Sequence, residues 1–388
     1  MRRVDAIDVA RGLAMVMVFI NHGIVWFNPT TPEWIVMSVY RLSDFCIPMF
    51  MAISGMTMVY LLRGSTRSPS YTRQRYLKRG IQLLVVGHIL ITLGTWPLYR
   101  HDRTLIELLL LRWHITDSIA ICLFLVPHMI MRLSRRQRLI LALTLPVVCR
   151  MVTAFWDPAN PVIGGLQEFL CGIDDYNHSP VLDNTYPLGP YLAMFLLGTV
   201  LAPMYLTAVK NVTLLAFLRR FAIVLLGLFV LGTILTSMYL LLIRKLFDPT
   251  IHGDWLGFFY PSKISALMPI YLAMGGAIFM AIVLWVDYFR RFGLLTFSLV
   301  VFGRTSFFAY VVQYFLIQGI PAAMGLTHSV GLWHYLLLMV IFTFFLFLIC
   351  YGYARWKGIM SSEEYQILHE RIRGGSCRNV EHITKGIA

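Results

Sequence analysis

Apolar stretches long enough to cross a bilayer recur along the chain, each closed by a short polar or basic segment. They fall at about 10–28, 44–62, 80–98, 115–131, 137–155, 188–206, 219–243, 264–286, 296–319 and 333–354. This pattern predicts an all-α, polytopic membrane helical bundle of about ten transmembrane helices with both termini on one side. Residues 1–358 form the transmembrane unit, and 359–388 form a polar tail with at most a short helix around 362–373. Two stretches break the rhythm. Thr104–Leu111 is apolar but too short to cross, which fits a half-helix or re-entrant piece covered by protein or lining a wet cavity. The stretch from Trp156 to Pro187 is long, acidic and interrupted by Gly and Pro; it has the length of a lid or an acceptor site and equally that of a plain solvated loop.

Charge then orients the spans. Arg63, Arg67, Arg73, Arg75, Lys78 and Arg79 follow the second span, and Arg132, Arg135, Arg136 and Arg138 follow the fourth. Lys210, Arg219 and Arg220 lie between the sixth and seventh, and Arg290 and Arg291 follow the eighth. All fall on the side of Arg2 and Arg3, whereas the loop from Trp156 to Pro187 has no Lys or Arg. By the positive-inside rule both termini are cytoplasmic. The net charge of +14 therefore reflects topology, and nucleic acid is not an expected partner. The composition agrees: of 388 residues, 58% are hydrophobic and 13% charged, with a mean hydropathy of +0.70. Met1–Ile24 reads as a retained first helix, since no small-residue cleavage site precedes the body of the chain. The six cysteines, Cys46, Cys122, Cys149, Cys171, Cys350 and Cys377, form no C-x-x-C pair, which argues against a disulfide framework or a zinc site.

Against this background the polar residues inside apolar spans are the candidates for chemistry. An ionisable group at membrane depth costs about 2.5–3.5 kcal/mol on insertion scales, so it faces the bundle interior or a wet cavity. The first span carries Asn21 and His22, with Arg11 and Asp8 nearer its start. Arg11 and His22 are about three turns apart on one face, separated by roughly 16 Å along the axis, and Asp8 precedes Arg11 by one turn. An interhelical hydrogen bond is the plainer role for His22. Further candidates are Arg41, Ser43 and Asp44 at the entry to the second span, Ser54-Gly55 within it, His114 and Asp117 before the fourth, and Arg304, Ser306, Tyr310 and Gln313 in the ninth. Ser306, Tyr310 and Gln313 share a helix face, for which helix packing through hydrogen bonds is the alternative. His114 and Asp117 are spaced to form an orienting pair if their segment is helical; a solvated turn explains them as well. No His-Glu metal pattern, Walker loop or G-x-S-x-G elbow occurs.

These residues resemble the membrane acyltransferase-3 superfamily, including its heparan-alpha-glucosaminide N-acetyltransferase-like branch. The opening Asp8-Val9-Ala10-Arg11-Gly12-Leu13-Ala14 with His22 is similar to that family's start, including the arginine, ten residues, histidine spacing. FCIPMFMAISGMT (45–57) resembles its second helix. YPLGPYLAMFLLG (186–198) looks like a helix of the N-acetyltransferase-like branch, with Tyr191 in place of the usual tryptophan. FGRTSFFAYVVQY (302–314) looks like the late helix, with Gln313 where many relatives have histidine.

The resemblance implies an acyl-CoA-dependent acyltransferase acting on groups other than amino-acyl. It would move an acyl group, commonly acetyl, from cytoplasmic acetyl-CoA or another acyl-CoA to a hydroxyl or amine of a carbohydrate or related acceptor. His22 would be base or transient acyl carrier, with Asn21 beside it. Arg11, held by Asp8, would attract the donor, aided by Arg304, Ser306, Tyr310 and Gln313, while Asp44, Ser54, His114 and Asp117 would face the acceptor. No metal is implied. The partners are acyl-CoA, a glycan or other small acceptor and the lipid bilayer, with a homodimer allowed; a bacterial inner membrane is the simplest location. The competing class is a secondary transporter or flippase with His22 and Arg11 lining its path, against which stand the lack of a visible repeat and of deep acidic residues. A non-enzymatic scaffold leaves the cost of His22 and Arg11 unexplained.

Overall fold

A computed structural model describes residues 5–44, 46–64, 69–156, 160–172, 183–184, 186–210 and 293–359, with isolated helical positions at 216, 220 and 223. The expected spans at 219–243 and 264–286, and the tail beyond 359, lie outside this set apart from those isolated positions.

The first half of the described chain contains α1 (Asp5–His22), which runs on into a 3-10 turn over Gly23–Trp26, then α2 (Glu33–Asp44), α3 (Cys46–Gly64), α4 (Pro69–Gln82) and α5 (His88–Tyr99). A π-helical turn over Leu83–Gly87 joins α4 to α5. There follow α6 (Leu105–Leu111), α7 (Ile115–Arg132), α8 (Arg135–Phe155), α9 (Pro161–Cys171) and α10 (Leu188–Lys210). The C-terminal part contains α11 (Gly293–Arg304), α12 (Ser306–Gln313), a second π-helical turn over Tyr314–Gly319, α13 (Ile320–Ala323) and α14 (Leu332–Trp356). Two-residue strands β1 (Arg112–Trp113) and β2 (Asp183–Asn184) pair in parallel, Arg112 opposite Asp183.

Local sequence explains the element boundaries. Thr104 and Glu107 form a capping box that starts α6, the short apolar piece, and Ser134 with Gln137 does the same for α8. Asn160 caps α9 ahead of Pro161, and Gly172, at φ +90°, ends it in a conformation that side-chain-bearing residues avoid. Along α4 the buried positions Thr72, Tyr76, Gly80 and Leu83 make a helical stripe, while Arg73, Arg75 and Lys78 stay exposed. This basic, amphipathic start lengthens the expected 80–98 span into one helical run over Ser70–Tyr99.

Helix α1 is the axis of the bundle, packed against α2, α3, α11, α12 and α14. Two reciprocal glycine contacts hold the closest helix pairs. Gly12 lies on the carbonyl of Leu299 and Gly303 on that of Asp8, joining α1 to α11; Gly55 lies on the carbonyl of Phe195 and Gly198 on that of Ala52, joining α3 to α10. A Cβ at any of the four would overlap a backbone atom, so small residues set the interhelical distance, as in other membrane bundles. The outer stripe of α14, Trp333, Leu337, Val340, Phe344 and Leu348, is exposed and apolar, whereas Tyr335, Met339, Leu346 and Cys350 are buried. Such a face suits hydrocarbon.

The expected span at 296–319 differs from the structure in one respect. Asp8 and Gly12 meet Gly303 and Leu299, an antiparallel pairing, but His22 and Trp26 meet Gln313 and Ile317, a parallel one. The chain changes sense against α1 at Thr305, whose backbone (φ −103°, ψ 15°) departs from the helix. A single straight helix cannot make both sets of contacts. Among the described residues six helical spans are long and apolar enough to cross a membrane, with Cys46–Leu62 and Leu295–Arg304 as shorter apolar helices.

Candidate functional site

The end of α1 places Asn21 and His22 against the kink-and-π-turn segment of α12. Gln313 Oε1 lies 2.9 Å from His22 Nδ1. An amide oxygen only accepts, so with the amide in this orientation the ring proton sits on Nδ1 and the lone pair on Nε2. Nε2 faces the hydroxyl of Tyr314 at 3.5 Å, and that hydroxyl is 3.0 Å from Tyr310 OH. The His22 ring packs on both tyrosines, 4.7 Å from Tyr314 and 6.2 Å from Tyr310 between ring centres. Gln313 is fully buried, and its amide nitrogen has no hydrogen-bond partner among the described residues. Asn21 Nδ2 donates to Ser43 Oγ at 2.9 Å, tying the end of α1 to α2.

A cavity runs down α1 from His22. It is lined by Asn21, His22, Ser54, Thr116, Tyr186, Ser306 and Tyr310 among others, and by Arg11 and Arg79 lower down. Because α3 runs antiparallel to α1, Arg11 Nη2 reaches Thr57 Oγ1 at 2.8 Å near the other end of the cavity. Its walls are largely apolar, with Ile47, Phe50, Met58, Leu83, Ile119 and Leu123. A second, more open hollow adjoins it, lined by Gln74, Arg75, Lys78, Gln82, Arg304 and Tyr353; Arg79, Leu83, Ser306 and Phe307 line both. These four shared side chains set a basic hollow directly beside the cavity that reaches the His22 ring.

The expected residues fall into three groups. His22, Asn21, Arg11, Ser54, Ser306 and Tyr310 share the cavity, and Gln313 stands behind His22. Asp8 is buried and accepts from Arg304 Nε at 3.1 Å, an ion pair between α1 and α11 beneath the cavity. His114 and Asp117 lie one helix away, at the start of α7, and differ from the expected pair. Asp117 Oδ2 receives the backbone N–H of His114 at 2.9 Å, while the imidazole facing it is that of His88, with Nδ1 at 2.8 Å. His88 Nε2 is 3.0 Å from the carbonyl of Leu109, and His114 Nε2 is 3.0 Å from Thr92 Oγ1. Asp44 closes α2, and its side chain, like that of Arg41, lies outside the described residues.

Residue patterns had not singled out His88, Thr116, Tyr186 or Tyr314. An imidazole within the apolar stretch 80–98 is the same signal that marked His22, so His88 was visible by that criterion. Tyr186 reaches the cavity because its carbonyl accepts from Ser118 Oγ at 2.7 Å and β2 pairs with β1, fastening the end of the long loop beside α7. Both π-helical turns border this region, one ending at His88 and the other starting at Tyr314; such turns often accompany functional sites.

A comparison with curated proteins finds no match. The sequence family described as an acyltransferase domain matches residues 4–355, from the first helix through α14, and so takes in every element around the cavity. With its apolar spans and this near-complete match, the chain belongs to the acyltransferase-3 family and is an integral-membrane acyltransferase.

Proposed function

We propose that the protein takes an acyl group, in the first instance acetyl, from acyl-CoA and transfers it to a hydroxyl or amine of a carbohydrate or related acceptor. The observation that carries this reading is the basic hollow at Arg75, Lys78 and Arg79 lying beside the cavity that reaches His22. Phosphates of CoA suit the clustered cations of the basic hollow, and the thin pantetheine arm suits the largely apolar cavity beyond Ser306 and Phe307. The thioester then arrives beside His22.

Alcohols attack thioesters slowly unless a base removes their proton as the bond forms. His22 Nε2, the ring nitrogen turned away from Gln313 and toward the Tyr314 hydroxyl, is the base; if it attacks the thioester itself, it is a transient acyl carrier. Either way the carbonyl carbon gains the new bond, the C–S bond breaks, and CoA leaves as thiol with a proton delivered through the imidazole. The Ser306 and Tyr310 hydroxyls are placed to orient the carbonyl or the acceptor, and the Asp8–Arg304 pair fixes α11 at the base of α1. On the acceptor side we assign Ser54, Thr116, Tyr186 and, one helix away, His114 and Asp117. Within the family, residues 186–198 favour the heparan-alpha-glucosaminide N-acetyltransferase-like branch. We read about ten spans in all, both termini cytoplasmic, in a bacterial inner membrane.

The test uses purified full-length protein in nanodiscs, measuring acetyl-CoA binding and its slow conversion to free CoA. The wild type is expected to bind and release CoA, and His22→Ala to bind with comparable affinity while release falls by about 10²-fold or more. Equal release by the two proteins removes His22 from the chemistry. Failure of the wild type to bind any acyl-CoA turns the assignment of these cavities toward transport.

A further inference from the structure

Away from the cavity, α9 packs antiparallel to the outer half of α8. Gln167 Nε2 donates to the carbonyls of Val152 and, at 2.5 Å, Trp156. One turn further along both helices this pairing brings Cys171 opposite Cys149. The Cys149 Sγ lies 3.8 Å from the carbonyl of Leu170, the residue before Cys171, so the two cysteines meet on the seam between α8 and α9. Cys149 is buried and pressed on Gly189 at the start of α10, whereas Cys171 is partly exposed at the last position of α9. Cys46, Cys122 and Cys350 are buried on other helices.

We propose that Cys149 and Cys171 form a disulfide that staples α9 to α8 on the face opposite the basic loops. The sequence spacing gave no hint of this pair; packing of α9 onto α8 creates it. The Trp156–Pro187 loop has no Lys or Arg, so by the charge rule it faces the compartment across from the cytoplasm, where thiols are oxidised. The oxidant is a protein carrying a reactive disulfide. The partly exposed Cys171, as thiolate, attacks it, giving a mixed disulfide and releasing one of its sulfurs as thiol. Cys149 then attacks the Cys171 sulfur, forming the Cys149–Cys171 bond and releasing the second sulfur. Two thiol protons and two electrons leave this chain, and the oxidant becomes a dithiol. The bond secures the α9 end of the loop whose other end brings Tyr186 to the cavity.

The test counts thiols on the full-length protein as it stands in cells. Cells are quenched in acid, and the protein is denatured in N-ethylmaleimide, reduced, and labelled with an isotopically heavy maleimide before peptide mapping. The heavy label is expected on Cys149 and Cys171 alone. Cys149→Ser and Cys171→Ser should each carry none, and their detergent melting midpoint should match that of reduced wild type. Heavy label absent from both residues, or joined to a different pair, overturns the proposal. Wild-type mapping decides this even if a serine variant fails to fold, and a negative result leaves the acyltransferase reading untouched.

Discussion

An amide oxygen can only accept a hydrogen bond, so Gln313 decides which nitrogen of His22 keeps its lone pair. With His22 as the proposed base, Gln313 is a positioning residue: it sits behind the imidazole, outside the cavity lining, and acts through it. Its buried amide nitrogen has no partner among the described residues, and an orphaned buried donor costs about 1–3 kcal/mol. A packing residue at this place would carry no such cost. Gln313→Leu removes the acceptor at similar volume, and we expect turnover to fall about 10²-fold with the acyl-CoA KM within about twofold of wild type. Gln313→Glu keeps an acceptor and should retain more activity than Leu; equal loss in the two variants assigns Gln313 to packing. The sequence exposed His22 and Arg11 because each breaks an apolar span, yet it did not expose what they touch. Gln313 is 291 residues from His22, and Arg304 is 296 from Asp8. Periodicity reports which residues share a face of one helix; it carries nothing about which distant helix lies against that face. His114 and Asp117 show the consequence, since the imidazole that Asp117 holds comes from His88 on α5.

At the scale of elements, the cavity exists because α1 is gripped at its base and left open above. The Gly12/Gly303 contacts press α11 onto the lower turns of α1, and the change of sense at Thr305 then carries α12 toward His22. The Gly55/Gly198 contacts do the same for α3 and α10, fixing the wall that carries Ser54 and Thr57. Replacing Gly198 with Val drives side-chain atoms into the Ala52 carbonyl, and such overpacking costs about 1–3 kcal/mol. The expected outcome is a lower thermal midpoint in detergent together with weaker acyl-CoA binding, because α3 must move. Gly352→Ala on α14 is the control, since nothing lies near its missing Cβ and the midpoint should stay put or rise. An unchanged midpoint in Gly198→Val contradicts the close approach. Most of these elements could be read from hydropathy, including the short α6. The kink at Thr305 could not, because no proline marks it and Gly303 reads equally well as a packing glycine. The pairing of β1 with β2 was hidden for a related reason: two residues carry too little pattern to signal a strand.

Across the whole molecule, helix pairings gather the basic segments at one end. Gly80 of α4 lies against Phe124 of α7, and His88 against Asp117, so the two run antiparallel and bring Arg73–Arg79 toward Arg132, Arg135 and Arg136. The hollow beside the cavity, lined by Arg75, Lys78 and Arg79, lies at that end, while His22 sits toward the other end of the cavity. On the proposed reading, a donor bearing several phosphates is drawn in by charges that are largely exposed, and interactions of that kind weaken as salt shortens the Debye length, which is about 10 Å at 0.1 M and about 3 Å at 1 M. The acyl-CoA KM of the wild type is expected to rise several-fold between these salt concentrations. In Arg75→Gln/Lys78→Gln/Arg79→Gln the KM should start about tenfold higher at low salt and change little on adding salt, since exposed charges contribute up to about 1 kcal/mol each. The acceptor KM should be flat in both proteins, because the inner cavity near His22 is walled mainly by apolar side chains. Steady-state kinetics in nanodiscs of neutral lipid, which add no surface charge of their own, measure all four slopes. A salt dependence that survives the triple substitution moves the donor entrance away from α4.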